Sequence, residues 1–258
     1  MRLFVISFLL ASLCLLPFLS EWLDFNLPLK GVLAIPYIGL DYMRIFFHEL
    51  GHCVTFWLFG YPAVPTFDFE YGGGMTYPVM GRIWLVQGIS FAGMAAGIYY
   101  LCRGEGVLFD NERRLLPVIV VLLTLLIIGL ALTQGHNVAI LFMGYGAEIF
   151  IAVFCMARAV LGLTRYGAVE KYLNMTFGLY VMAYNIVLLR SLMTSDIAQM
   201  AYGMQKGGEL QGDFDQIADR LGATLQSVAG LSLGFMGLML IGLVAFVVWW
   251  KNNEEVPA

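Results

Sequence analysis

Charge is scarce in this chain. Asp, Glu, Lys and Arg supply only 12% of the 258 residues, and the net charge is −4. That balance excludes a basic surface for nucleic acid and a polybasic tail that would grip anionic lipid. Cysteine is also rare: Cys14, Cys53, Cys102 and Cys155 stand singly in apolar context with no C-x-x-C pair, which excludes a disulfide framework and a thiol redox motif. Histidine occurs three times. What fills the chain instead is apolar. Hydrophobic residues reach 60% and mean hydropathy is +0.80, more than a soluble core needs. The expectation is one membrane-embedded, all-α polytopic domain in contact with the lipid bilayer, a multi-pass protein of the cell's inner membrane.

Taken in order, Leu3 to Leu19 is an uninterrupted apolar run after Arg2. It reads as a first membrane helix, since bulky Phe18 makes a poor cleavage site; a cleaved signal peptide is the alternative. Glu21, Asp24 and Lys30 mark a short turn in which Pro28 forbids helix continuation. The second span, Val32 to Phe59, is closed by Gly60, Tyr61 and Pro62. Phe67, Phe69 and Tyr71 then alternate with Asp68 and Glu70, a period of two, and Gly72-Gly73-Gly74 followed by Met75-Thr76-Tyr77 suggests a hairpin. Its edge could pair with an extended peptide; an interfacial loop with aromatic anchors is the equal alternative. Ile83 to Leu101 forms a third span whose Gly93 and Gly97 allow close packing, expected on the second span. A charged loop, Arg103 to Arg114, precedes the fourth span, Leu115 to Leu132. The fifth, Val138 to Leu161, carries Tyr145 and Glu148, and the sixth, Tyr172 to Met193, carries Tyr184, Asn185 and Arg190. Residues 195–224, with Asp213, Asp215 and Asp219, read as a solvated loop with a helical piece. The last span, Leu225 to Trp250, ends in an interfacial anchor of Trp249, Trp250 and Lys251. The total is about seven spans.

The second span is no simple anchor, because Asp41, Arg44, His48, Glu49 and His52 interrupt it and ionisable groups in lipid are costly. His48-Glu49-Leu50-Gly51-His52 fits the H-E-x-x-H pattern. Four residues apart, His48 and His52 lie on one helical face and can share one tetrahedral zinc. Glu49 projects from a neighbouring angle, where it suits a general base acting on water. Such a zinc needs a third protein ligand. His136, the one remaining histidine, is the leading candidate, with Asn137 beside it as a possible oxyanion donor. It sits in the polar knot Thr133-Gln134-Gly135-His136-Asn137. A capping or interfacial role is the alternative for His136. Glu148 is the runner-up ligand, since an unpaired carboxylate within the fifth span would be expensive; Asp41, Asp110 and Asp196 rank below it.

With its pentapeptide in an apolar helix, followed by Tyr71-Gly72-Gly73-Gly74-Met75 and the glycine-rich stretch from Gly88 to Gly97, the chain resembles the M50 group. These are the site-2-protease-like intramembrane zinc metalloproteases, and the likeness is to the short M50B-like branch. It covers roughly residues 40 to 160, within a protease-like core of about 32–161, and the pentapeptide is its one specific element. The resemblance implies zinc-dependent hydrolysis of peptide bonds in membrane protein or peptide substrates, with Glu49 as base and then proton donor. One departure stands out. The family takes a third ligand from an Asp-Gly in a later span, and no Asp here precedes Gly; Gly135-His136-Asn137 holds a comparable place in the order of spans.

A non-proteolytic metal-binding membrane protein, either a transporter or a regulatory pseudoprotease, is the competing function. The acid at Glu49 argues against it, since a transport site has no need of a base there. Orientation is open as well. The Lys and Arg distribution favours an outside N-terminus, whereas the family's usual placement of its catalytic helix would require the reverse for seven spans.

Overall fold

The computed structural model describes residues 2–22, 26–27, 30–68, 73–103, 122, 124–204 and 211–254. The elements are helices α1 (Arg2–Trp22) and α2 (Lys30–Leu58), strands β1 (Ala63–Asp68) and β2 (Gly73–Pro78), then α3 (Trp84–Arg103), α4 (Gly135–Leu161), α5 (Ala168–Thr194), α6 (Asp196–Gly203), α7 (Asp213–Leu221) and α8 (Leu225–Glu254). Residues 124–131 are also helical. The chain is thus mostly helical with one small two-stranded sheet.

Four helices among the described residues are long and apolar enough to cross a membrane: Arg2–Ser20, Gly135–Leu161, Ala168–Thr194 and Leu225–Asn252. The expected count of seven is therefore not reached. α2 is not one of the four, because the polar and charged residues from Asp41 to His52 dilute its apolar run. α3 is not one of them either. Of the expected fourth span, residues 115–121 and 123 lie outside the described residues, as do Asp24, Pro28, Asp110 and the rest of the 104–114 loop.

The chain divides into two compact units, Met1–His48 with Tyr145–Ala258, and Glu49–Gly144. In the first, α5 is the central helix, packed against α1, α6 and α8, while α7 packs on α8. Tyr180, Val181, Leu189 and Leu192 of α5 are fully buried, as are Ile149, Ala152 and Ala159 of α4. Helices in lipid gain little from the hydrophobic effect, so close fit has to hold them together. Gly178 provides it. A Cβ there would stand 2.5 Å from Met156 Cγ and 2.8 Å from the Ala152 carbonyl, so glycine lets α4 and α5 approach where any side chain would separate them. The polar side chains follow the same logic: Tyr145 donates to the Ser232 carbonyl on α8 at 2.8 Å, which satisfies a hydroxyl that lipid could not.

In the second unit, α2 ends at Gly60, whose φ of 85° is the left-handed conformation that stops a helix cheaply when no Cβ is present. Here space also requires glycine, because a Cβ would lie 2.9 Å from the Ile83 carbonyl. β1 and β2 pair antiparallel from Ala63↔Pro78 to Asp68↔Gly73. The strand therefore begins at Ala63, four residues before the alternation at Phe67; Phe69 to Gly72 lie outside the described residues. Pro65 fits because a two-stranded sheet leaves each strand an unpaired edge. The hairpin is fastened to α2 at its start, where the Ala63 carbonyl accepts from Trp57 Nε1 at 2.9 Å and from Cys53 Sγ at 3.3 Å. Phe59, Ala131 and Ile140 form a small buried cluster beside it.

Candidate metal centre

The pentapeptide lies inside α2, so helical geometry sets His48 and His52 one turn apart on a common face. Each imidazole is steered from its Nδ1 side. His48 Nδ1–H donates to Glu148 Oε1 at 2.7 Å, and His52 Nδ1–H donates to the Ile140 carbonyl at 2.7 Å. Second-side bonds of this kind fix the ring and the tautomer of metal-binding histidines and raise the basicity of the other nitrogen. In both rings that other nitrogen is Nε2. For His48 it is hydrogen-bonded to Asp213 Oδ2 at 2.9 Å, so release of that proton would leave a carboxylate oxygen and an imidazole nitrogen side by side for one cation.

Glu148 is 2% exposed and its charge is well compensated. Arg44 Nη1 donates to Oε1 at 2.8 Å and Asn185 Nδ2 to Oε2 at 2.8 Å. Arg44 is held in turn by Asp41, Nε to Oδ1 at 2.8 Å, and lies over the Tyr184 ring at 4.0 Å. A buried carboxylate with this many donors is a strong acceptor for His48. The sequence's runner-up ligand is thus placed to orient His48, with its oxygens also engaged by Arg44 and Asn185.

Asp213 is the first residue of α7. Its position depends on tight packing around Gly212, where a Cβ would lie 2.3 Å from Tyr202 Cε1. The Phe214 N–H donates to the Tyr202 hydroxyl at 3.4 Å, and the Phe214 ring contacts both Tyr202 and Tyr145. Burial, and then the neighbouring Asp213 charge, push the Tyr202 hydroxyl well above its ordinary pKa, so it remains protonated.

The Glu49 carboxylate, 4% exposed, is gripped by β2. Thr76 Oγ1 lies 2.7 Å from Glu49 Oε2 and 3.0 Å from the Glu49 carbonyl. Directly over the side chain passes Gly74, where a Cβ would stand 2.4 Å from Glu49 Cγ. The hairpin thus fixes the direction of the one acid in the pentapeptide.

His136 is placed differently from the expectation. Its Nδ1–H donates to the Thr133 carbonyl at 2.6 Å, Nε2 faces the Tyr61 hydroxyl at 3.4 Å, and its ring stacks on Tyr61. Nδ1 serves the start of α4, as in the capping alternative, while Nε2 faces Tyr61, and it is Asp213 that lies against His48 Nε2. Among the described residues, His136 belongs to no group of three or more His, Cys, Asp or Glu side chains able to hold a metal. The Asn137 amide is likewise engaged locally, donating to Gln134 Oε1 at 2.7 Å. Asp41 pairs with Arg44, and Asp196 is exposed in the first turn of α6. Asp213 escaped the sequence reading because it sits in the longest polar stretch, where acids are usually solvated. The available signal was Gly212-Asp213 opening a short helix whose apolar residues, Phe214, Ile217 and Ala218, are spaced to bury one face.

No protein-family model, curated protein or solved structure matches the chain.

Proposed function

We propose that this protein is an intramembrane zinc metallopeptidase of the site-2-protease-like kind, with His48 and His52 binding through Nε2 and Asp213 through a carboxylate oxygen. The observation that carries the reading is His48 held between Glu148 on Nδ1 and Asp213 on Nε2. The donor set of two imidazoles and one carboxylate suits zinc and leaves a fourth position for water or substrate. When bound, zinc supplies Lewis-acid polarisation of a carbonyl and makes water more acidic.

The chain's own residues do the rest. Glu49 accepts the proton of the attacking water and returns it to the leaving amine, and Thr76 keeps the carboxylate aimed for both transfers. Glu148 and the Ile140 carbonyl hold the two imidazoles in the tautomer that presents Nε2. The edges of the β1–β2 hairpin offer backbone donors and acceptors to an extended peptide, the state a scissile bond must adopt because a helix hides its carbonyls. The substrates are membrane proteins or peptides, and the enzyme sits in the inner membrane. In this reading α2 and α3 also lie in the membrane beside the four apolar helices.

A second reading, a metal-binding membrane protein that does not cut, is favoured by the buried network of Asp41, Arg44, Glu148 and Asn185, which a transport site could equally use. One experiment separates the two. Purified full-length protein should carry about one zinc per chain, and Glu49→Gln should keep the zinc while cleavage of a co-expressed membrane substrate falls by at least about a hundredfold. Unchanged cleavage in that variant would remove Glu49 from the chemistry and the peptidase reading with it.

A further inference from the structure

Arg82 lies between the hairpin and α3, and its charge is unbalanced. Nη1 donates to the Ala131 carbonyl at 3.2 Å, Nη2 donates to Gln87 Oε1 at 2.9 Å, and the guanidinium lies over the Trp84 ring at 4.0 Å. All three partners are neutral. Nε is buried and has no hydrogen-bond partner, and Arg82 has no carboxylate counter-ion among the described residues. The other half-buried arginines are neutralised, Arg44 by Asp41 and Glu148 and Arg158 by Glu170. A cation without a counter-ion in apolar surroundings is costly, so the site suits an anion that no described residue supplies.

Beside this guanidinium is a cavity of about 250 Å³. Apart from Arg82 and Gln87 its walls are apolar, formed by Trp84, Phe91, Ile128 and Leu132 around Gly88. Trp84 and Leu132 are 68% and 77% exposed, so the cavity opens on the outer surface of the unit, and Trp beside Arg is the pairing found at the membrane–water boundary. A free anion would leave the apolar walls uncovered, and a plain hydrocarbon would leave Arg82 unpaired. An anionic head joined to an alkyl chain satisfies both.

We propose that this cavity binds an anionic phospholipid, with the phosphate on Arg82 and the first part of an acyl chain against Phe91, Ile128 and Leu132. The site is separate from the metal centre and does not depend on the peptidase reading. Two substitutions probe its halves. Arg82→Gln removes the charge. Gly88→Trp fills the cavity from a position where a Cβ meets nothing within 4 Å.

Purified full-length protein would be titrated with phosphatidylglycerol, phosphatidylcholine and inorganic phosphate, with bound lipid counted by native mass spectrometry. Phosphatidylglycerol should bind at least about tenfold more tightly than phosphatidylcholine, and Arg82→Gln should abolish that preference. Gly88→Trp should weaken both lipids, and millimolar inorganic phosphate should fail to displace phosphatidylglycerol. Equal affinity for the two lipids, or phosphatidylglycerol binding unchanged in Gly88→Trp, would overturn the proposal even if Arg82→Gln does not fold. Displacement by inorganic phosphate would also overturn it, by reducing the site to a simple anion pocket.

Discussion

Glu148 Oε1 and His48 Nδ1 are joined at 2.7 Å across a hundred residues of sequence. That bond turns a carboxylate that looks like a ligand into one that aims a ligand. Glu148→Gln keeps an acceptor oxygen but not its charge, so zinc affinity should fall about 10- to 100-fold without the site being lost. Competition against a chelator of known affinity measures this. Failure of the variant to take up zinc at any concentration would make Glu148 a ligand, and an unchanged affinity would show that it does not orient His48.

Arg44 holds the same carboxylate at 2.8 Å. Replacing it by Met leaves Glu148 buried without its arginine partner, which should destabilise the protein by about 3–5 kcal/mol. Thermal unfolding in detergent, compared with a surface substitution such as Arg190→Met, provides the check; equal unfolding temperatures would mean the pair contributes nothing to the fold.

The hairpin's part in the chemistry is testable without touching a proposed ligand. Thr76→Val removes the hydroxyl that holds Glu49 Oε2, and Gly74→Ala places a methyl group 2.4 Å from Glu49 Cγ, so the acid must swing away. Both variants should retain zinc. Their kcat should fall about tenfold for Thr76→Val and about a hundredfold for Gly74→Ala, with KM little changed. Loss of zinc in either variant would mean that the hairpin shapes the metal site itself.

How much of this was legible in the sequence depended on whether the signal was local. Helix periodicity placed His48, Glu49 and His52 on α2, and the alternation near Phe67 with the glycines after it found the hairpin, although β1 starts at Ala63. Long-range pairings left no such trace. Nothing near Glu148 announces that Arg44 and His48 come to it from α2, and nothing near Asp213 announces His48. Counting residue types pointed to His136, because economy favoured the last histidine. Its ring lies at the start of α4, stacked on Tyr61. The four apolar helices among the described residues leave out α2, which has the length of a membrane helix but carries the polar side chains of the site.

The central claim is that Asp213 completes the metal site, and zinc content measures it most directly. Asp213→Ala and His136→Leu should each be purified as full-length protein and assayed for metal. Asp213→Ala should lose stoichiometric zinc as His48→Ala does, since two remaining ligands hold it poorly, while His136→Leu should keep about one zinc per chain. Full zinc in Asp213→Ala together with its loss in His136→Leu would contradict the account and return the third ligand to His136.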